Sequence, residues 1–129
     1  MEKKFSNNNE AVLRQVVSMC FDLLNELDKD DLLTDDYDDD DITVIDVIAI
    51  ESLHKGTSYY DISPILYEVI DSFLENIIER HLSKKQRKEL RLDYDDVNTS
   101  EVDLANLMFE QMIEEHFQTE KIQNYIKQL

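Results

Sequence analysis

In 129 residues this chain has one glycine, one proline, one cysteine and no tryptophan. Sheets need tight turns that consume glycine and proline, so their scarcity favours helices joined by short connections. With a single glycine no phosphate-cradling glycine loop can form, which removes P-loop and dinucleotide-binding fingerprints. The lone cysteine, Cys20, allows no internal disulfide and points to a reducing compartment. Placed on the apolar side of a predicted helix, it reads as core packing. Positive charge is also scarce: 13 Lys and Arg stand against 30 Asp and Glu, a formal net charge of -17. That balance repels phosphates, so it argues against direct binding to nucleic acid or to an anionic membrane surface. No apolar run approaches the ~20 residues that span a bilayer. The opening MEKKFSNNNE has two lysines but no apolar segment after them, so no signal peptide is read and a cytoplasmic location is expected.

What is present is a core. Hydrophobic residues make up 42% of the chain, too many for disorder despite the charge, and the length fits one domain. The expected fold is all-α, a single compact bundle of four to six helices. Residues 1–9 read as frayed, with Asn7, Asn8 or Asn9 capping a first helix from Glu10 to Leu27. In that helix Leu13, Val16, Val17, Cys20, Leu24 and Leu27 recur at spacings of three and four, opposite Gln15, Ser18, Asp22, Asn25 and Glu26. Residues 28–41 are dominated by aspartate, with Lys29 their only base, and read as an exposed acidic loop.

Residues 42–53 are ambiguous. Their β-branched content suits a strand. A helix capped by Asp41 would instead put Val44, Ile45, Ile48, Ala49 and Leu53 on one face and end at Gly56; the helix is slightly favoured. Ser63-Pro64 is a strong start signal for a helix reaching Leu82, with Leu66, Val69, Ile70, Phe73 and Ile77 inward. A basic helix within Ser83–Leu92 comes next, then a second acidic loop at Asp93–Thr99. Ser100 caps a helix to Gln118 with Leu104, Ala105, Met108, Phe109 and Met112 inward, and Thr119 opens a last short helix through Tyr125 and Ile126.

Patterns that would carry chemistry fail when tested. Calcium-loop frames starting at Asp28 or Asp93 lack the glycine at position six and the glutamate at twelve. His54, His81 and His116 are far apart and none belongs to an H-E-x-x-H pattern; His81 and His116, at the edges of apolar faces, read as satisfied boundary residues. There is no G-x-S-x-G elbow, and Cys20 has no base beside it in sequence. A catalytic acid pair needs one carboxyl in an apolar pocket, and no acidic residue is read as placed that way. No enzyme, no metal and no cofactor are expected. The basic stretch Arg80–Arg91 is expected to form internal ion pairs rather than a nucleic-acid contact.

The sharper pattern is where carboxylates fall on the helices. Glu68, Asp71, Glu75 and Glu79 are spaced by three, four and four, stacking on one helix face opposite Leu66, Phe73 and Ile77. Asp103, Glu110 and Glu114 form a second stripe. Neighbours four residues apart lie about 6 Å apart along the axis, comparable with successive phosphates along a nucleic-acid strand. The candidate partner-binding set is these seven residues with Asp35, Asp36, Tyr37, Asp38, Asp39, Asp40, Asp41, Asp95 and Asp96.

In the middle third, an acidic approach at Asp38–Asp41 leads to the apolar segment Val44–Leu53 and then to Tyr59-Tyr60-Asp61-Ile62. This arrangement resembles the small acidic antirestriction proteins of bacteriophages, the ocr-type DNA mimics, which carry a comparable tyrosine pair ahead of Asp-Ile. The chain departs from them in its basic stretch and in ending on KIQNYIKQL where they have a long acidic tail. The resemblance implies an anti-restriction inhibitor, and a broader group of phage anti-defence inhibitors, anti-CRISPR proteins among them, shares this composition without sharing sequence. Its partner would be a basic protein, a DNA- or RNA-binding enzyme or complex, and a homodimer would extend the negative array. The alternative is an immunity protein that neutralises a cationic toxin through aromatic anchors such as Tyr37 and Tyr94.

Overall fold

A computed structural model describes residues 7–28, 41–58, 61–92 and 100–128. These form six helices and, among the described residues, no strand: an all-α fold. We number them α1 (Asn7–Asn25), α2 (Val44–Ala49, continued by a π-helical turn over Ile50–His54), α3 (Pro64–His81), α4 (Lys84–Leu92), α5 (Glu101–Phe117) and α6 (Glu120–Lys127).

The ambiguous segment is the helix at the centre. Every residue from Val44 to Glu51 is buried, because α2 is packed by α1, α5 and α6 together. A helix enclosed on all sides carries apolar residues all round, which is why its sequence resembles a strand. Its cap is Thr43, not the expected Asp41. Thr43 Oγ1 accepts the Asp46 amide at 3.2 Å, and Asp46 Oδ2 accepts the Thr43 amide at 3.0 Å, a reciprocal capping box. Asn25, the last residue of α1, adds a third contact by accepting the Ile45 amide on Oδ1 at 3.3 Å.

α5 packs against all five other helices, and its fully buried Phe109 stands edge-on to Phe21 of α1, with centroids 5.1 Å apart. Ser100 caps it through Asp103, as the sequence predicts. Pro64 opens α3 after an extended Ser63. Leu82 is extended and breaks the path between α3 and α4. There Ser83 and Gln86 exchange capping hydrogen bonds of 2.8 and 3.1 Å.

Some inward assignments shift. Leu27 lies beyond the end of α1 and is 38% exposed. On α3 the buried line is Leu66, Ile70, Leu74, Ile77 and Ile78, with Val69 and Phe73 half-buried. The face is rotated because α3 packs on α1 and α5 at once. On α5 Met112 is half-buried and Ile113 is buried in its place. Asn7, Asn8 and Asn9 are helical rather than frayed or capping, and the Asn9 amide donates to the Glu89 carbonyl of α4 at 3.2 Å. Cys20 is buried, and that burial pushes its thiol up to about 12. No helix among the described residues is long and apolar enough to cross a membrane.

Candidate partner-binding surface

On α3 the expected acidic line divides by environment. Glu68, Glu75 and Glu79 are exposed and make no ion pair among the described residues. Asp71 is half-buried and accepts Asn106 Nδ2 of α5 at 3.3 Å, so part of its hydrogen-bonding capacity is spent holding two helices together. The three exposed glutamates ride on an eighteen-residue helix anchored by its buried face. Glu68 and Glu79 are eleven residues apart, about 16 Å along the axis.

The α5 set is dispersed by function. Asp103 is exposed but serves the capping box with Ser100, accepting its amide at 3.2 Å. Glu110 is half-buried and Glu114 exposed, one turn apart. Among the described residues they line a cleft of about 170 Å³ together with Ser52, Leu53, Ser58 and Ile113. Asp41 is exposed just ahead of α2. Asp35, Asp36, Tyr37, Asp38, Asp39, Asp40, Asp95 and Asp96 lie outside the described residues, as do Tyr94 and the Tyr59-Tyr60 pair.

The basic stretch is partly neutralised within the fold. Glu101 of α5, only 13% exposed, lies 3.2 Å from Arg91 Nε and 3.7 Å from Arg87 Nε. Arg80, Lys84, Lys85 and Lys88 are exposed.

Two carboxylates contradict the expectation that no acidic residue is placed in apolar surroundings: Asp46 and Glu51, 1% and 4% exposed. Asp46 Oδ1 lies 2.6 Å from His116 Nε2, and Oδ2 accepts Lys121 Nζ at 2.6 Å. Burial alone would raise this carboxyl. Hydrogen bonds from His116, Lys121 and the Thr43 amide overcome that and hold it well below the usual carboxylate range. His116 is thus a boundary residue with a specific partner, and the central helix is fastened to α5 and α6 by one buried charge. The Thr43-x-x-Asp46 spacing was the available signal. Glu51 pairs with Lys55 at 3.2 Å.

A second clamp joins α1 to α5. Arg14 donates Nη1 and Nη2 to the two carboxylate oxygens of Glu115 at 2.9 and 2.5 Å, and Nε to Glu10 at 3.2 Å. The two-point bond raises the guanidinium and lowers the Glu115 carboxyl.

No group of three His, Cys, Asp or Glu side chains among the described residues is arranged to hold a metal ion. Comparisons with protein-family models, curated proteins and solved structures found no match to this chain.

Proposed function

We propose that this protein is an acidic, DNA-mimic-type inhibitor that binds the basic nucleic-acid-binding surface of a bacterial DNA-processing or phage-defence protein. The observation that carries the reading is the uncompensated line Glu68, Glu75 and Glu79 on a helix whose other side is locked into the core. Charges held on a rigid body attract a basic groove without a large ordering cost on binding. The formal charge of -17 adds long-range steering toward the same kind of partner. Arg14, Arg87, Arg91 and Lys121 pair with Glu115, Glu101 and Asp46 rather than with the α3 line, and the exposed Arg80, Lys84, Lys85 and Lys88 lie at its C-terminal end and beyond.

The test is retention of proteins from bacterial lysate on the immobilised chain, with mass-spectrometric identification and competition by duplex DNA. The expected target is a nucleic-acid-binding protein that duplex displaces, that leaves steeply with added salt, and that binds the E68Q/E75Q/E79Q variant less. A target that persists unchanged through excess duplex and through that triple substitution would sink the reading. Loss of binding on Tyr37→Ala alone, with the glutamates irrelevant, would mark a single-anchor interface of the immunity type instead.

A further inference from the structure

A hollow of about 150 Å³ lies between α1 and the junction of α3 with α4. Among the described residues, Val12, Val16, Met19 and Leu82 give it an apolar lining, and Gln15, His81 and Gln86 add polar groups. Val16 is buried, whereas Gln15 and His81 are exposed. Local chemistry builds the hollow. Leu82 is extended, with φ -109 and ψ 134, which ends α3 and turns the chain. The Ser83 amide then donates to Gln86 Oε1 at 2.8 Å, and the Gln86 amide to Ser83 Oγ at 3.1 Å, so α4 starts at once. Asn9 Nδ2 of α1 donates to the Glu89 carbonyl at 3.2 Å and holds α4 against α1.

The surroundings are basic. Arg80, Lys84, Lys85 and Lys88 are exposed, and each lies within two positions of a residue that lines the hollow. None makes an ion pair among the described residues, in a chain with 30 Asp and Glu. Lys84 and Lys85 are moreover the first two residues of α4, at the positive end of the helix dipole, where a cation is disfavoured. An anionic group arriving from outside offsets that cost.

We propose that this face docks an acidic protein segment bearing one aliphatic side chain, which enters the hollow while the flanking carboxylates meet the four cations. Two observations favour a protein segment over nucleic acid. Among the described residues no aromatic side chain lines the hollow to stack a base, and its apolar lining suits an aliphatic group. The net charge of -17 opposes the approach. At physiological ionic strength that field is screened over about 8 Å, so the cations nearest the contact prevail. This face has the opposite sign from the α3 glutamate line, so it stands or falls independently of the partner assigned to that line.

The test uses the full chain, isotopically labelled, at physiological ionic strength and monitored by amide chemical shifts. The probes are a blocked glutamate peptide with one central leucine, the same peptide with serine for leucine, and a single-stranded oligothymidylate. The expected result is saturable movement of the Val12, Gln15, Met19, His81 and Gln86 amides by the leucine peptide. The serine peptide should bind several-fold more weakly, and K84Q/K85Q/K88Q should weaken the leucine peptide about tenfold. Met19→Gln, close to methionine in shape, should weaken the leucine peptide but not the serine peptide. An unchanged dispersion of the remaining amides verifies that each variant is folded. Equal binding of the two peptides, or indifference to Met19→Gln, would overturn the hollow as an anchor. Movement by the oligothymidylate but not by the peptides would overturn the acidic segment in favour of phosphate recognition. A chain that sediments as a dimer and is dissociated by K84Q/K85Q/K88Q would give the site to a second copy instead. No response to any probe would overturn the docking face outright.

Discussion

Asp46→Ala should be among the most damaging single substitutions on a polar residue of this protein. The carboxylate is 1% exposed and bonded at 2.6 Å to both His116 and Lys121. Hydrogen bonds that involve a charged group contribute about 1.5–3 kcal/mol each, and breaking a buried pair costs about 3–5 kcal/mol. Here His116 and Lys121 are 29% and 49% exposed, so each recovers some hydration when its partner is removed. That places Asp46→Ala near the low end, about 3 kcal/mol, and the isosteric Asp46→Asn at about 2 kcal/mol. For a chain of this length, about 3 kcal/mol lowers the melting temperature by about 10 °C.

The distinguishing readout is pH. The Asp46 carboxyl titrates below its ordinary range in the folded chain. Its contribution is therefore complete above the unfolded value of about 4 and is lost as the pH falls further. Urea unfolding of wild type and Asp46→Asn at a series of pH values cancels the many other carboxylates, which both proteins share. The stability gap should be constant near neutrality and narrow below about pH 4. A gap under about 1 kcal/mol at pH 7, or one that keeps its size down to pH 3, would refute the assignment.

Three further outcomes are expected. Arg14→Met, which keeps the apolar stem, should cost about 1 kcal/mol by removing the clamp between α1 and α5, and the loss should shrink in high salt. Denaturant titrations at two ionic strengths check this. Cys20 should resist iodoacetamide in the native protein at pH 8 and react readily in urea, because its thiol is buried and pushed up to about 12; mass spectrometry reads the adduct. Gly56→Ala should cost about 1 kcal/mol by calorimetry. Gly56 has φ +77 and a Cβ added there would meet nothing within 4 Å, so the loss is backbone strain alone.

Periodicity served well where a helix has one buried side. Leu13, Val16, Val17, Cys20 and Leu24 on α1, and Leu104, Ala105, Met108 and Phe109 on α5, are buried as their spacing predicts. Local capping chemistry was equally readable at Ser63-Pro64 and Ser100, because these signals act within a single turn. It faltered on α2, which is enclosed on every side and so has no polar face to report its period. It faltered again at Leu53, since a π turn leaves no mark in the spacing of apolar residues.

The candidate surface divides in the same way. Sequence alone determined that the chain is strongly acidic, helical and able to line up glutamates on α3, because composition and a 3.6-residue period are properties of the chain itself. Tertiary structure decided which carboxylates remain available. Asp71 is engaged by Asn106, Glu101 by Arg87 and Arg91, Glu115 by Arg14, and Asp46 by His116 and Lys121. These partners lie from 10 to 101 residues away in the chain, as the separations of Glu101 from Arg91 and of Glu115 from Arg14 show. Only packing the helices together brings such groups within ion-pairing or hydrogen-bonding reach, so no local pattern separates a carboxylate that fastens the fold from one that faces a partner.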